Sequence, residues 1–420
     1  MYEISSPNEF FENKTDKYEW INILEKTSTT VSTLNQYEFI IRNTDDWLRL
    51  YDAYVAVKFS VSSGGAIANQ ALCNGAYSIF SRAVLRADGN VLEDVRQFPL
   101  AQVVKKVMET TPNNEKSLEN EFFYLDTTNN SGANTYGANG VSQSNEHGST
   151  GHSSRITRCA SANNVFCWMP VREMFSFVKT WNKVHKGIKF EMSFEKNSNN
   201  EALLCSAGTP ALTVNDISLW MPVIKPSLQQ EAELITTLNN SQTLPLKWIR
   251  AQTEVSNSST DSGKRLRIAT LASKPRRVIV GLQENGRINN ITTNSNIFDN
   301  CQLKSIYLRY NATQVPQEMI ETDYATGDWA RAYLNFLKEN GKEDPIDGSI
   351  ISFENFATCY SLYVFDLSSQ PDKLFETGQL ADLEVVYTLG ASVNHRVVCF
   401  IDYEREASLN LSNNRMTIVY

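Results

Sequence analysis

Val55-Ala-Val-Lys-Phe59 recurs in similar form as Val278-Ile-Val-Gly-Leu282, at an offset of 223 in sequence number (278 minus 55). The same offset of 223 (309 minus 86) joins Val84-Leu-Arg86 to Tyr307-Leu-Arg309. In each half, the second of these segments is followed by a turn, a polar stretch and a helical segment. Because one shift aligns two separate segments and the same order of features follows, the 420-residue sequence predicts two copies of one β-rich unit in tandem.

A third pair of segments, Gly187-Ile-Lys-Phe-Glu-Met192 and Gly378-Gln-Leu-Ala-Asp-Leu-Glu-Val385, has an offset of only 191 (378 minus 187). The first half is therefore expected to contain 32 additional residues (223 minus 191) before the strand at residues 187–192. Residues 127–154 are dense in Gly, Asn and Ser and almost free of large apolar side chains. They are predicted to form a long exposed loop, because they cannot bury enough surface to offset the entropy of ordering.

Period-two alternation indicates that strands dominate the chain. In residues 188–194, Ile, Phe, Met and Phe occupy one face while Lys, Glu and Ser occupy the other, as in a sheet with one face in a core. Helical periodicity is confined to residues 98–108, 171–178 and 328–337, with Asp328 expected as the N-cap of the last helix and Gly341 beyond its end. The predicted fold class is all-β, with short helices inserted between strands.

Composition excludes several classes of protein. The net charge of −8 argues against a surface dedicated to nucleic acid, because phosphate neutralisation requires clustered Lys and Arg. The apolar runs are far shorter than the roughly 20 residues that cross a bilayer, so no membrane segment is expected. Residues 1–10 lack the basic start and apolar stretch of a signal peptide, which predicts synthesis and use inside a cell. The scattered cysteines contain no C-x-x-C pair and are predicted to be free, mostly buried thiols.

No sequence signature of a phosphate-binding loop, dinucleotide fold, zinc protease or hydrolase nucleophile is present. His147 and His152 lie in the Gly/Asn/Ser stretch, close in sequence to Glu146 and Cys159. They are predicted to be solvated loop histidines, because a metal site would require the loop to fold around it. No catalytic, cofactor-binding or metal-binding residue is therefore predicted.

The other titratable candidates have ordinary explanations. His185 and His395 lie in predicted turns without a sequence partner that suggests a catalytic triad. Glu231-Ala-Glu233 and Glu343-Asp344 are predicted to be solvated surface charges.

Two basic stretches, Lys274-Pro-Arg-Arg277 and Gly263-Lys-Arg-Leu-Arg267, flank predicted strands. Charges on an edge strand discourage misplaced pairing, and a local contact with nucleic acid is the alternative for these arginines. The tryptophans do not alternate with basic residues and are predicted to lie in the core or in subunit contacts. Those considered are Trp181, Trp220, Trp248 and Trp329.

The order of these segments resembles that of the double jelly-roll, hexon-like major capsid proteins of double-stranded DNA viruses. The branch found in adintoviruses and the Polinton (Maverick) elements is the most similar. The resemblance extends from about Gln36 to about Tyr403 and rests on order and spacing, and the chain departs from the family in its Gly/Asn/Ser-rich loop and short N-terminal arm. The segments that carry it include Met169-Pro-Val-Arg-Glu-Met-Phe-Ser-Phe177, Pro275-Arg-Arg-Val-Ile-Val-Gly-Leu-Gln-Glu-Asn285, Asp328-Trp-Ala-Arg-Ala-Tyr333 and Tyr360-Ser-Leu-Tyr-Val-Phe-Asp-Leu367.

The resemblance implies two tandem eight-stranded jelly rolls. The expected organisation is an N-terminal arm (1–17), a first jelly roll (18–224, long loop 127–155), a linker (225–246) and a second jelly roll (247–420). It implies a structural protein without enzymatic activity or cofactor, whose homotrimers form pseudo-hexameric capsomers of an icosahedral virion capsid assembled inside the host cell, in the nucleus or cytoplasm. Expected partners are further copies of the chain, penton and minor capsid proteins and, only weakly, genomic DNA.

Two other functions are compatible with a jelly roll. A two-domain carbohydrate-binding β-sandwich is the first, since lectins share the fold. A cupin-type enzyme is the second, but it requires a histidine-rich metal site that four scattered histidines make improbable.

Overall fold

The computed structural model describes the greater part of the chain. The described residues are 15–26, 30–42, 45–62, 70–127, 149–161, 164–205, 208–240, 243–271, 275–311, 313–344, 348–368, 381–410 and 415–419. None of the helices within these ranges is both long and apolar enough to span a lipid bilayer.

The described residues form twenty strands, which divide into two consecutive groups. The first group, called the first roll, contains β1 (Thr15–Leu24), β2 (Gln36–Ile40), β3 (Trp47–Leu48), β4 (Tyr54–Ser62), β5 (Gln70–Leu72), β6 (Phe80–Ala87), β7 (Asn90–Arg96), β8 (Val165–Pro170), β9 (Phe190–Lys196), β10 (Leu203–Cys205) and β11 (Ala211–Pro226). The second roll contains β12 (Thr243–Val255), β13 (Gly263–Leu271), β14 (Pro275–Glu284), β15 (Leu303–Tyr310), β16 (Thr313–Glu321), β17 (Leu362–Asp366), β18 (Ala381–Leu389), β19 (His395–Asn410) and β20 (Arg415–Val419).

Helices occupy the connections between strands. They are α1 (Phe98–Glu109), α2 (Thr150–Ser161), α3 (Val171–Met174), α4 (Ser176–Thr180), α5 (Asn199–Ala202), α6 (Leu228–Asn240), α7 (Ala330–Glu339) and α8 (Phe353–Thr358). Short 3₁₀ turns span Val31–Thr33, Leu50–Asp52, Ala76–Ile79, Glu115–Glu121 and Asn285–Arg287.

The two rolls have the same topology, strand for strand. In the first roll one sheet has the order β1-β11-β4-β8 and the other β2-β9-β6-β7. In the second roll the corresponding orders are β12-β19-β14-β17 and β13-β18-β15-β16. All eight principal strands of each roll therefore have a counterpart, which confirms the prediction of two tandem eight-stranded jelly rolls.

The register of the strands confirms the repeat. Leu85 of β6 pairs with Met192 of β9, and Leu308, at an offset of 223 from Leu85 (308 minus 85), pairs with Val385 of β18. Met192 and Val385, which end the third pair of segments, are therefore equivalent and differ by 193 (385 minus 192). Gly378, on which the predicted offset of 191 was counted, lies outside the described residues.

The additional residues of the first half lie between β7 and β8, as predicted. This connection spans residues 97–164, whereas its counterpart between β16 and β17 spans residues 322–361. The predicted exposed loop is wrong at its C-terminal end, because residues 150–155 begin helix α2. Ser149 is buried and its Oγ accepts a hydrogen bond from His152 N at 3.1 Å, which orders the start of this helix. Residues 128–148, including His147 and Glu146, lie outside the described residues.

The predicted helices are present with changed boundaries. Residues 171–178 form two short helices, α3 and α4, because Phe175 between them is extended. Helix α7 begins at Ala330, and Asp328 does not cap it but exchanges backbone hydrogen bonds with Asp323. Gly341 follows the end of α7 with a positive φ of 62°, as its position predicted.

The predicted linker, 225–246, contains helix α6, which the sequence analysis did not anticipate. Its Leu234 packs against Trp47 and Ile224 of the first roll, whereas Leu228 at its start is 86% exposed. Strand β12 already begins at Thr243, and β1 begins at Thr15 within the predicted arm.

Candidate functional site

The two rolls share one continuous hydrophobic core. Trp248 of β12 is buried. Its ring packs edge to face against the ring of Phe177 in α4, with 5.2 Å between the ring centroids. Phe177 also stacks on Trp181 at 5.9 Å. These contacts join the cores of both rolls in a single cluster of buried side chains. At these residues the junction between the rolls is packed like a protein interior.

A buried polar network forms a second part of the junction. Arg155 of α2 donates through Nη2 to both carboxylate oxygens of Asp126, at 2.9 and 3.0 Å. Asn294 of the second roll donates to the same carboxylate at 2.8 Å, and Asp126 N donates to the hydroxyl of Tyr360 at 3.2 Å. Because both charges are buried, this ion pair requires the additional hydrogen bonds that surround it. Two residues of the second roll thus contact Asp126 of the first.

A cavity of about 440 Å³ lies between the rolls. Helix α1 and strand β7 line it from the first roll, and the outer face of the sheet containing β14 and β19 lines it from the second. Glu93 in this cavity accepts hydrogen bonds from Ser176 N at 2.9 Å and Phe177 N at 2.6 Å. Burial nevertheless raises the pKa of Glu93 to about 7.

Other charges of the cavity are also shifted by burial. Burial lowers the pKa of Lys105 and raises the pKa of the Asp402 carboxyl, which Arg277 contacts at 2.7 Å. Both oxygens of Glu93 already accept backbone hydrogen bonds, and Asp402 is held by Arg277. These carboxylates are therefore held as structural groups of the junction.

Three of the predicted candidate histidines are buried. His152 is fully buried in α2, so the prediction of a solvated loop residue was wrong, because residues 150–161 fold as a helix against the first roll. His185 is buried beside Phe190, and burial lowers its pKa to about 3. His395 begins β19, where Nδ1–H donates to the Val393 carbonyl and Nε2 accepts from the Tyr387 hydroxyl at 2.8 Å. Within the described part of the chain, no group of three or more His, Cys, Asp or Glu side chains could hold a metal ion.

None of the seven cysteines forms a disulfide, as predicted. Six are buried and Cys159 is partly buried. Burial raises the pKa of Cys167 to about 12 and that of Cys159 to about 11, so both are protonated at neutral pH.

The basic stretches are paired with acidic side chains on neighbouring strands. Arg265 contacts Glu384 at 2.5 Å and Arg267 contacts Asp382, while Arg276 contacts Glu404. Lys274 lies outside the described residues. Cross-strand pairing of this kind supports the structural interpretation of these arginines.

The acidic clusters lie on the surface, as predicted. Glu231 on α6 pairs with Lys186 at 3.3 Å. Glu343 and Asp344 are exposed.

The outer face of one sheet of the first roll carries an aromatic surface, called the aromatic face. It consists of Trp20 on β1, Trp220 on β11, Tyr54 on β4, and Phe166 and Trp168 on β8. Neighbouring rings pack against one another. The distance between ring centroids is 6.0 Å for Trp20 and Tyr54, 6.2 Å for Tyr54 and Trp168, and 5.6 Å for Trp168 and Trp220. Phe166 is 60% exposed, Trp20 43% and Trp168 36%. A contiguous exposed apolar surface of this kind is typical of an interaction site.

Of this surface, only Trp220 was predicted from the sequence to lie in the core or in a subunit contact, although the sequence of β8 carries a further signal. Apolar residues occupy both faces of the strand in Val165-Phe-Cys-Trp-Met169. A strand of this kind is expected to be buried on both faces, one in the core and one against another protein surface. Of the four tryptophans considered, Trp181, Trp248 and Trp329 are buried in the core, and Trp220 is half-buried on the aromatic face.

Comparison with known proteins identifies relatives of the fold. Residues 118–405 match the family described as a double jelly roll-like domain. No curated protein matches the chain.

Several solved structures resemble the whole chain at low sequence identity. A chain of the Sputnik virophage is 11% identical with a TM-score of 0.60, and the match covers 100% of this chain and 93% of that one. The mavirus major capsid protein is 8% identical with a TM-score of 0.57, covering 95% and 90% respectively. The Faustovirus major capsid protein is 9% identical with a TM-score of 0.56, covering 100% and 93%. At these identities the likeness establishes a common fold.

Proposed function

The chain belongs to the family of proteins with a double jelly roll-like domain, and on that premise we propose that it is a viral major capsid protein. The double jelly-roll capsid fold is that of a structural protein rather than of an enzyme. The proposed role of the chain is to form contacts with copies of itself and with other components of the capsid shell. The adintovirus or Polinton branch remains the finer prediction from the sequence.

The observation that carries this proposal is the identical strand order of the two rolls. One chain thereby presents two units of nearly the same outline, held at a fixed angle by the buried contacts of the junction. Three copies around a threefold axis would place six such units in a ring. A single gene product could then fill the sixfold positions of a shell.

In this proposal the homotrimer is a pseudo-hexameric, hexon-like capsomer of an icosahedral virion capsid. The proposed units are the arm (1–17), the first jelly roll (18–224, with the loop 127–155), the linker (225–246) and the second jelly roll (247–420). Penton and minor capsid proteins are the proposed partners, with weak contact to genomic DNA, and assembly is proposed to take place inside the host cell.

Native mass measurement of the purified full-length chain tests the proposal. Three times 47.4 kDa, about 142 kDa, is the expected mass. Imaging by electron microscopy should then reveal particles with a sixfold-like outline. A stable species of 47.4 kDa under every salt and pH condition would overturn the proposal.

Carbohydrate binding is the second candidate, favoured by the exposed indole rings of Trp20 and Trp168. A glycan array separates the two functions. Specific glycan binding by a chain that stays monomeric would favour the lectin-like role, and the absence of binding by an assembling chain would favour the capsid role.

A further inference from the structure

We propose that the aromatic face is the surface by which one copy of the chain binds the next, and that it packs against α7 and β16 in the second roll of that copy. This inference rests on the proposed function, because it identifies the contact that would close the trimer. It follows from comparing which surfaces are covered in the two rolls.

Inside one chain, the first roll covers the outer face of a sheet in the second roll. Ile279 of β14 and Phe400 of β19 lie on this outer face and are each only 3% exposed. They line the cavity opposite Val104 and Met108 of α1. A contact between the outer sheet face of one roll and the α1 and β7 side of the next roll thus already exists once within each chain.

The equivalent outer face in the first roll is the aromatic face. Tyr54 pairs with Trp220 across β4 and β11, at the position where Arg277 pairs with Asp402 across β14 and β19. Likewise Trp168 pairs with Ala56, as Val364 pairs with Ile279. Trp168 is exposed, whereas Val364 is buried beside α7, which packs on β17 within the same roll. Ile279, the partner of Val364, is buried opposite the first roll, and among the described residues no roll covers the aromatic face in this way.

The α1 and β7 side of the first roll, which covers the sheet of the second roll, also has an exposed counterpart. In the second roll α7 follows strand β16 along the chain, as α1 follows β7 in the first roll, and β16 and β7 occupy equivalent places in their sheets. Val104 of α1 is buried at the junction, whereas Leu334 of α7 is 55% exposed and Met319 of β16 is 39% exposed. Both halves of the internal contact therefore recur as exposed apolar surfaces, one on each roll.

The chemistry of the two surfaces is complementary. Arg331, Leu334 and Lys338 are spaced by three and four residues and so lie on one face of α7, where all three are exposed. An aliphatic side chain between two cations fits a surface of indole and phenyl rings, because cations are attracted to aromatic faces. On the aromatic face itself, Lys58 already lies 5.2 Å from the Phe166 ring centroid.

The two surfaces differ, so the contact is head-to-tail. In the proposed trimer the contact repeats the angle between the rolls of one chain, and a head-to-tail contact forms a closed ring when its repeated rotation returns to the starting copy. The occupant of the aromatic face is accordingly the second roll of a second copy. A two-fold contact of the face with itself is the arrangement that this inference excludes.

A double variant, Trp20→Ser with Trp168→Ser, tests the surface. Light scattering should report a fall in mass from about 142 kDa to 47.4 kDa. The substitutions remove two exposed indole rings from the interface between copies and leave the core of each chain unchanged. Leu228→Ser is the matched control, since Leu228 is 86% exposed on α6 outside either surface and its loss should leave the mass unchanged. Circular dichroism should report the same folded structure in all three proteins.

Cross-linking tests the orientation. The full chain carrying both Trp168→Cys and Leu334→Cys, treated with a short bis-maleimide, should yield covalent species of up to three copies. Chains with only one of the two substitutions should yield none, because a head-to-tail contact does not bring identical positions together. Cross-linking of the Trp168→Cys chain to itself would overturn the inference.

The outcomes separate the inference from the function on which it rests. If the wild-type chain forms trimers and the double serine variant forms them equally well, the aromatic face is not the contact, although the capsid proposal stands. If the wild-type chain is always monomeric, both are overturned.

Discussion

Arg155 and Asp126 form an ion pair in which both side chains are buried, and Asn294 of the second roll shares the carboxylate. Replacing Asp126 with Asn leaves the Arg155 charge buried without a counter-charge. We expect the free energy of unfolding to fall by about 3–5 kcal/mol. Urea denaturation followed by fluorescence measures this loss.

The surface pair of Lys26 and Glu38, 3.0 Å apart, provides the control for that variant. Glu38→Gln removes an exposed ion pair and should cost less than about 1 kcal/mol. Equal effects of the two substitutions would contradict a special role for the buried pair.

Glu93 predicts a pH dependence of stability near neutrality. Its pKa is about 7 in the folded protein and about 4.5 in the unfolded chain, so the folded state binds more protons between these values. The contribution of Glu93 to the free energy of unfolding is fully present below pH 4.5 and is lost as the pH rises through 7. The wild type should lose about 3 kcal/mol over this window relative to Glu93→Gln.

Urea titrations of the wild type and Glu93→Gln at several pH values measure this difference. Lys105 and Arg250 face Glu93 and are present in both proteins. Parallel stability profiles of the two proteins from pH 4.5 to 7.5 would rule out a raised pKa for Glu93.

His185 predicts the opposite dependence under acidic conditions. Its pKa is lowered by burial to about 3, against 6.5 in the unfolded chain, so the unfolded state binds the additional proton. Stability is fully present above pH 6.5 and decreases as the pH falls toward 3. His185→Phe should therefore resist acid better than the wild type, by about 3 kcal/mol near pH 4.5 after normalisation at pH 7.5. Identical acid-unfolding curves after this normalisation would contradict the assignment.

Gly281 permits a close approach in the second roll. A Cβ at this position would lie 2.3 Å from the Phe298 ring. We expect Gly281→Ala to destabilise the protein by about 1–3 kcal/mol, because the ring must move within a packed interior. Gly286→Ala, whose Cβ would meet nothing within 4 Å, should be neutral or slightly stabilising in the same thermal denaturation experiment.

Local patterns predicted most of the fold because they depend on neighbours in sequence. The alternation in β4 and β9 and the common offset of 223 (278 minus 55) were sufficient to identify two similar β units. The start of α2 was missed because its order comes from partners distant in sequence. Arg155 pairs with Asp126, and Asn294, 168 residues after Asp126, completes the site.

The candidate surface could be predicted only in part, for a related reason. Strand periodicity indicates that Phe166 and Trp168 share a face, but it does not indicate whether another roll covers that face. Asp328 illustrates a competing local interaction, since a residue suited to cap α7 instead pairs its backbone with Asp323. Burial across the junction depends on contacts between residues far apart in sequence.

The packed contact between Trp248 and Phe177 has a consequence for the curvature of any assembly. It fixes the rotation that relates one roll to the next, and repeated application of one rotation either returns to its starting point or advances along an axis. If the copy-to-copy contact repeats this rotation, as proposed above, substitutions that reshape the contact of Trp248 with Phe177 without unfolding the chain should convert closed rings into open filaments. The shape of the particle would then be encoded in the interior of a single subunit.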